Sequence, residues 1–340
     1  MEDIFEIQEE VAEKIVEGLK IHLSSVEKNK LTERGTESSE ADELYLRALE
    51  YFQRLTQDGI RISVQLVTDA IEQDPEYALA IAFKAIMLTT IYQMYDSNPD
   101  ILSEAESLCI TSLRLKPDLF HVFYPLSVVY ALQGNLDKGE ETAKEFIRSA
   151  PEQYLSHFSL GIFYGYTKQH AKAITPFEEV IWLKPDFRPA LYNVVNRCNS
   201  AKETERREKW AHIALPVYER HLKLQPDDEN CHMGHATLKY WGGLFDDAHR
   251  EAMVLKNGND SNVLFHAALL LSRLNQKREA LDTFRKAIEL GFRSFPHLMS
   301  FLIDDTDGVA QLGGTPEYEE LKQMVEKIEA ELHAPSPGAA

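Results

Sequence analysis

Apolar residues follow a helical spacing along most of the chain, in paired stretches that end on the same short phrase. The phrase is a helix end followed by a proline and an acid, as in "WLKPDFRPAL", "RLKPDLFHVF" and "KLQPDDENCH". Proline cannot continue a helix, and its fixed backbone angle suits the start of the next one. The pattern therefore predicts helical hairpins separated by proline-containing turns.

The prolines that close these stretches recur with a nearly constant period. Pro75, Pro117, Pro151, Pro185 and Pro226 are separated by 42, 34, 34 and 41 residues. A period of about 34 residues with proline near its end is the signature of the tetratricopeptide repeat, so the chain resembles a tetratricopeptide repeat (TPR) protein. The resemblance implies an all-α, right-handed superhelical solenoid of antiparallel helix pairs, with about seven repeats.

The best-preserved unit carries the residue types that this family places on its two helices. Gly161 and Tyr164 stand on the first helix, and Ala173 and Phe177 stand on the second. Small residues let two helices approach closely, and aromatic side chains fill the space around them. Each helix pair leaves an apolar face uncovered, so neighbouring pairs are expected to stack.

The two longer intervals contain polar extra residues in "MYDSNPDI" and "CNSAKETERREK". We interpret both as longer turns or extended second helices on one edge of the array. They are either tolerated surface insertions or segments that contact a partner.

The N-terminal segment differs from the repeats. Apolar positions from Ile4 to Ile21 fall near helical spacing, which predicts an amphipathic lead helix. This helix packs on the first repeat, mediates a homodimer, or docks on a neighbouring domain. Ser38 or Ser39 is expected to cap the first repeat helix.

Changes in the sequence pattern divide the chain into five segments. After the array the pattern changes, and "PEYEELKQMVEKIEAEL" predicts a final amphipathic helix that caps the last hairpin. The predicted segments are a lead helix over 1–26, a linker over 27–39, the TPR array over 40–291, a C-terminal cap over 292–332 and a disordered tail over 333–340.

The sequence of the N-terminal segment and of the first repeat supports a narrower resemblance. "DIFEIQEEVAEKI" and "LYLRA" are similar to the junction and TPR region found C-terminal to TolB-like or nucleotidyl cyclase domains in bacterial regulators. This resemblance implies either an excised part of a longer regulator or a stand-alone relative. It also implies an alternative function, in which the repeats form the small-ligand sensory region of a signalling enzyme.

The charge balance limits the classes of partner. The chain has 55 acidic and 36 basic residues, which gives a formal charge of −19. Nucleic acid and anionic lipid attract proteins by pairing phosphate with Lys and Arg, so this charge argues against both. We expect a protein or peptide partner that is apolar or basic. The acidic N-terminus and the three widely spaced cysteines favour a cytoplasmic protein without a secretory signal.

The TPR resemblance also predicts where a ligand binds. In the family, one turn position of each first helix points into the groove. Registering the repeats on their prolines puts five residues at that position: Tyr124, Phe158, Tyr192, Met233 and Phe265. Their expected neighbours in the groove are His121, Val128, Ile162, Tyr166, Asn196, Asn199, Thr237, Tyr240 and Arg273. This predicts an aromatic groove for a peptide. A register error of one residue would instead place the aromatic rings in the core.

Candidate catalytic and metal chemistry is sparse. Aromatic residues stand where the basic–amide clamp of some TPR domains would need lysine, so that clamp is not evident. "CHMGH" places His232 and His235 on one helical face, with Cys231 rotated away, and no further residues complete a zinc site. We predict a non-enzymatic protein with no cofactor and no metal. A metal-dependent hydrolase centred on the two histidines is the remaining alternative.

Overall fold

The computed structural model describes residues 35–54, 56–303 and 309–332. These residues form sixteen α-helices and two short 3₁₀ helices, Phe120–Val122 and Ala310–Leu312. The α-helices are α1 Ser39–Phe52, α2 Gln57–Gln73, α3 Ala78–Met94, α4 Pro99–Leu115, α5 Phe123–Leu132, α6 Leu136–Ser149, α7 Tyr154–Tyr166, α8 His170–Leu183, α9 Arg188–Ser200, α10 Thr204–Leu224, α11 Glu229–Trp241, α12 Phe245–Leu255, α13 Ser261–Arg273, α14 Lys277–Glu289, α15 Phe295–Ile303 and α16 Pro316–Leu332.

Helices α1 to α14 form seven hairpins, each with an odd-numbered first helix and an even-numbered second helix. Each helix packs most extensively on its hairpin partner, and each hairpin then packs on the next one. The predicted all-α solenoid of about seven helix pairs is confirmed. Among the described residues, no helix combines the length and the apolar character that a bilayer crossing requires.

The repeated phrase lies where the sequence predicted it, between one hairpin and the next. The second helix ends two residues before the proline in each of the first five hairpins, as at Leu183 before Pro185 and at Leu224 before Pro226. The sixth hairpin ends at Leu255 and has no closing proline, and Asp260 is the N-cap residue of the next helix, α13.

Small residues allow close helix contact both within a hairpin and between neighbouring hairpins. A Cβ atom added to Gly161 on α7 would lie 2.8 Å from the ring of Phe177 on α8. A Cβ atom added to Gly234 on α11 would lie 2.6 Å from the ring of Tyr218 on α10. Because Phe177 is fully buried, its ring has no space into which to retreat.

The two longer repeats lengthen their helices. In the second hairpin both α3 and α4 have 17 residues. In the fifth hairpin the second helix, α10, has 21 residues. The structure therefore accommodates the extra polar residues mainly as additional helical turns.

The turn between α3 and α4 brings the beginning of the solenoid into contact with its end. The N–H of Arg293 donates to the carbonyl oxygen of Tyr95 at 2.6 Å. The hydroxyl oxygens of Ser97 and Ser294 lie 3.2 Å apart, although these residues are 197 positions apart in the chain. The "MYDSNPDI" insertion thus has a structural role in closing the array.

Asp260 is the centre of this closing contact. Its Oδ1 accepts the N–H groups of Asn262 and Val263, each at 3.0 Å, which caps α13. Its Oδ2 accepts the N–H of Gln57, at the start of α2, at 3.0 Å. Asp260 therefore joins the start of α2 to the start of α13. Burial and the neighbouring Asp260 carboxylate raise the pKa of Tyr95.

The C-terminal segment covers the last hairpin. Leu321, Val325 and Ile328 of α16 are buried in the same hydrophobic core as α13 and α14, and Tyr318 and Met324 pack against it. The predicted capping helix is confirmed, and α15 is an additional helix that the sequence pattern did not indicate. The lead helix, most of the linker and the tail over 333–340 lie outside the described residues. At the linker's end, the side chain of Ser38 caps α1.

We predict that replacing Gly161 by alanine destabilises the protein, although alanine favours helices. Overpacking against Phe177 costs about 1–3 kcal/mol, which exceeds the helical gain of about 0.5–1 kcal/mol. Gly165→Ala on the same helix is the matched control, because its Cβ would meet only the guanidinium end of Arg197, at 3.2 Å, which has to move by only a few tenths of an ångström. Denaturant unfolding should show lower stability for Gly161→Ala and unchanged or higher stability for Gly165→Ala. Equal effects would contradict the packing explanation.

We predict that Gln57→Pro weakens the closing contact. Proline is tolerated at the first position of a helix, so this change removes the N–H that Asp260 accepts while sparing α2. The control is Gln57→Ala, which keeps the N–H. Gln57→Pro should be about 1.5–3 kcal/mol less stable than the control, and amide hydrogen exchange should rise near Arg293. Identical exchange in both variants would show that the contact is not stabilising.

Candidate functional site

The first helices line the inner side of the solenoid. Successive first helices contact one another directly, as α5 does with α7 and α11 does with α13, whereas successive second helices are held farther apart. An array whose first helices are closer together than its second helices curves towards the first helices. The surface of the first helices is therefore the concave one.

The structure brings several of the predicted groove residues side by side. The rings of Tyr124 on α5 and Phe158 on α7 have centroids 5.9 Å apart. The hydroxyl oxygen of Tyr192 on α9 lies 3.8 Å from the sulfur of Met233 on α11. These side chains occupy equivalent positions in consecutive repeats, so stacking of the hairpins places them next to one another.

Two of the predicted groove residues belong to the packing core. Phe158 is 8% exposed and packs edge-on against Phe177 and Phe187, with centroids 5.7 and 5.2 Å apart. Phe265 is 2% exposed and stacks on Phe292 with centroids 4.5 Å apart. The expectation that all five equivalent residues present a side chain to a ligand is corrected for these two, because the following segment of chain covers each ring.

Eight of the remaining predicted residues form what we call the inner-face set. Each of its members is only partly covered in the structure. The set comprises Tyr124, Ile162, Tyr166, Tyr192, Asn196, Asn199, Met233 and Tyr240. His121 is exposed beside it, whereas Val128 and Thr237 are buried.

Two tyrosines of the inner-face set, Tyr124 and Tyr166, are neutral hydrogen-bonding groups. Burial raises the pKa of Tyr124 to about 12. Burial, with a contribution from Tyr124, also raises the pKa of Tyr166. Both hydroxyl groups therefore remain protonated near neutral pH and can donate a hydrogen bond to a ligand.

The two asparagines differ in how they are held. The amide nitrogen of Asn196 donates to the carbonyl oxygen of Tyr192, one turn earlier on α9, at 3.2 Å. The amide oxygen of Asn199 accepts from the guanidinium of Arg207 at 3.3 Å. Arg207 lies on α10, in the extended part of the fifth repeat, and links this extension to the inner-face set.

Three residues at this surface were not predicted from the sequence: Arg197, Arg207 and Trp241. The guanidinium carbons of Arg207 and Arg273 each lie 4.9 Å from the Trp241 ring centroid. Trp241 has the same place in its repeat as Tyr166 and Arg273, so the repeat register could have identified it. We call Arg197, Arg207, Trp241 and Arg273 the arginine strip.

Arg197 is a cation with neutral neighbours. Its Nη1 donates to the carbonyl oxygen of Gly165 at 3.4 Å and lies 3.3 Å from Nδ1 of His170. Burial lowers its pKa, and the nearby Tyr166 and Tyr192 partly oppose that effect. It makes no ion pair with a carboxylate of the described residues.

The two histidines of "CHMGH" hydrogen-bond to a buried acid. Nδ1 of His232 lies 2.8 Å from Oε1 of Glu251, and Nδ1 of His235 lies 3.1 Å from the same oxygen. Lys239 donates to the second oxygen of Glu251 at 3.2 Å. Burial opposes ionisation of Glu251, but the histidines and Lys239 outweigh it and lower its pKa to about 2. The cluster joins α11 to α12.

A second group of metal-ligand types lies near the start of α11. His221, Asp228 and Cys231 have ligand atoms within 4.8 Å of one another. Burial raises the pKa of the Cys231 thiol to about 11, which disfavours the thiolate that a metal needs. The guanidinium of Arg188 lies 3.5 Å from the Asp228 carboxylate and supplies the positive charge there. These residues form a structural ion pair and do not fit a cation site.

Comparison with family models identifies the seventh hairpin. A tetratricopeptide repeat model matches residues 261–290, which are α13 and α14 with their flanking turns. These residues are a tetratricopeptide repeat. The match to this family model gives no support to the narrower resemblance to TolB-like or nucleotidyl cyclase regulators. No curated protein matches the chain.

Solved structures share the fold at low sequence identity. The human IFIT1 dimer with m7Gppp-AAAA aligns with a TM-score of 0.57 and 15% identity, over 96% of this chain and 77% of that one. A tetratricopeptide repeat protein from Parabacteroides merdae ATCC 43184 aligns with a TM-score of 0.45 and 12% identity, over 85% of this chain and 100% of that one. The first likeness shows a common solenoid fold.

The Glu251 cluster predicts a specific pH dependence. Glu251 has a lowered pKa, so its stabilisation is complete above its ordinary value of 4.5 and disappears as pH falls towards 2. Burial lowers the pKa of His232, but hydrogen bonding to Glu251 outweighs burial, so the pKa is raised overall. The stabilisation by protonated His232 is therefore complete below its ordinary pKa of 6.5 and is lost as pH rises. The stability lost in Glu251→Gln should therefore be largest between pH 4.5 and pH 6.5, where it reaches up to about 3 kcal/mol.

The measurement is denaturant unfolding of wild type and Glu251→Gln from pH 3 to pH 9, a range of about six units that spans both ordinary pKa values. Glu179→Gln removes an exposed carboxylate and serves as the control. A stability difference for Glu251→Gln that stays constant with pH would contradict the assigned hydrogen bonds.

Proposed function

We propose that the protein acts by binding, without catalysis, and that the inner-face set binds an extended or helical segment of another protein. Solenoids of stacked helical hairpins present a continuous concave surface to their partners. The single observation that carries the proposal is the row of partly covered Tyr, Met and Asn side chains on consecutive first helices. A scaffolding or regulatory role would follow from such binding.

The chemistry of the inner-face set favours a segment with apolar anchors. Tyr192 and Met233 lie in contact and provide an aromatic and a flexible apolar surface from neighbouring hairpins. Aromatic side chains dominate the binding energy of many interfaces, and methionine adapts to differently shaped partners. Asn196 and Tyr124 add hydrogen-bonding groups that can pair with the backbone of the bound segment.

The expectation of a basic partner needs a local correction. It rested on the formal charge of −19, which describes the field of the whole chain at a distance. The Debye length at physiological salt is about 8 Å, so groups close to a bound ligand decide its contacts. Here those groups include the arginine strip. We therefore propose an apolar segment and do not require it to be basic.

The alternative of a small-ligand sensory region has less support. A closed cavity among Tyr124, Phe158 and Tyr192 would favour this alternative. Phe158 is instead packed between Phe177 and Phe187 in the hydrophobic core. The three rings therefore do not form the wall of one open cavity.

A selection of random 12-residue peptides displayed on phage tests the proposal. Peptides enriched on the wild-type protein are synthesised, and their affinities are measured by fluorescence polarisation. The double change Tyr192→Ala and Met233→Ala should weaken binding by about 30-fold, the loss of one interface hot spot, while circular dichroism stays helical.

The matched control removes an aromatic ring from the outside of the array. Trp182 on α8 is 78% exposed, so Trp182→Ala should leave peptide affinity unchanged. Failure to enrich any peptide, or equal losses in both variants, would rule out the inner-face set as the peptide site.

A further inference from the structure

The arginine strip contains buried N–H donors that lack an acceptor. Within the described part of the chain, Nε of Arg197, Nε of Arg207 and Nε1 of Trp241 are buried and have no hydrogen-bond partner. Nearly all buried polar groups in native proteins are paired, and an unpaired one costs about 1–3 kcal/mol. All three groups are donors, so what they lack is an acceptor.

The Arg197 side chain is held in place by neutral groups. Its Nη1 contacts a backbone carbonyl oxygen and a histidine nitrogen, which orient the guanidinium without neutralising it. A buried cation without a counter-ion is unfavourable on its own, so an anionic partner would stabilise it.

Arg207 and Trp241 form a second part of the same feature. The guanidinium carbon of Arg207 lies 4.9 Å from the Trp241 ring centroid, and its Nη1 donates to Asn199. A carboxylate of Glu208 lies 3.4 Å from Nη2, but Glu208 is adjacent in the chain and largely exposed. Contact with a ring face orients a guanidinium while its N–H groups stay available in their own plane.

The strip differs in charge from the rest of the molecule. The chain has 19 more acidic than basic residues, yet three arginines lie along one stretch of the inner side from α9 to α13. Some basic residues on the outer surface pair with acids, as Arg148 does with Glu141 and Glu145, whereas Arg197 is paired only with neutral groups. A local cluster of arginines in an acidic protein is a favourable place for a negatively charged group.

Resting on the proposed function, we propose that the arginine strip binds a side-chain carboxylate of the segment held by the inner-face set. An internal Asp or Glu would accept from the N–H groups of Arg197 or from those of Arg207 and Trp241. Arginine is suited to this because its planar fork matches the two oxygens of a carboxylate.

Nucleic acid fits the same strip less well. Binding along a phosphate backbone requires several phosphates to be neutralised by Lys and Arg. The N-cap and first turns of α10 carry Glu203, Glu205 and Glu208, which are close to Arg207 in sequence. Glu203 pairs with Arg206 and Glu208 with Arg207, so these acids compete with a row of phosphates for the same arginines. A single carboxylate between apolar anchors avoids that repulsion.

Peptides selected on the wild-type protein provide the test. They are displayed through their C-termini, so Asp and Glu side chains are their only carboxylates. We expect enrichment of Asp or Glu at one position. Replacing that residue by its amide, Asn or Gln, should weaken binding to wild type at least about tenfold, as loss of a charged hydrogen bond does.

The same amide replacement should have little effect on binding to the double variant Arg197→Gln and Arg207→Gln. Arg220→Gln removes an exposed arginine from α10 and should behave as wild type. Circular dichroism and thermal unfolding identify a variant that fails to fold, and the single variants Arg197→Gln and Arg207→Gln then replace the double one.

The outcomes separate the two proposals. Enriched peptides without an acidic position, or an amide effect that persists in the arginine variants, would overturn the carboxylate site and leave peptide binding intact. No enrichment at all would overturn the proposed function. A 12-nucleotide RNA with a 5′-phosphate is the comparison ligand, about as long as the peptides and rich in phosphate. Its tighter, arginine-dependent binding would overturn the peptide assignment.

Discussion

Each helical hairpin of this protein has an apolar face that only the next hairpin can cover, and the architecture follows from that requirement. The close approach of two hairpins needs a small residue on one helix and a ring on the other, as with Gly234 on α11 and Tyr218 on α10 of the preceding hairpin. Because the contact recurs, no hairpin is complete alone, and stacking continues until something covers the last face. Helix α16 does so with an apolar stripe that includes Leu321.

A second constraint acts between the two ends of the array. In a solenoid stabilised only by nearest neighbours, small changes at each interface add up and the curvature can vary. Here Asp260 joins the start of α2 to the start of α13, across 203 residues of sequence. The insertion at Tyr95 supplies further backbone pairing with Arg293. These contacts restrain the curvature, so the inner-face set between them is held in a defined arrangement, which would make the proposed peptide binding selective.

The net charge of the protein and the local charge of its inner side determine different properties. The charge of −19 determines how the protein repels or attracts a distant partner. The contacts of a bound ligand depend on groups within a few ångströms, and at this surface these include Arg197 and Arg207 with incompletely satisfied donors. An acidic protein can therefore hold an acidic side chain, provided that its nearest groups are basic.

The sequence by itself determined the helical hairpins, their number and the capping helix, because helix periodicity, proline turns and small residues act within a few dozen residues. It placed Tyr192 and Phe265 at equivalent positions but could not tell that the second is buried under Phe292. Likewise the sequence shows an acid at Asp260 without showing which N–H groups its carboxylate accepts. Which ring is covered, which arginine lacks an acceptor and which acid meets Gln57 all depend on distances between segments remote in the chain. Only the tertiary structure decided those.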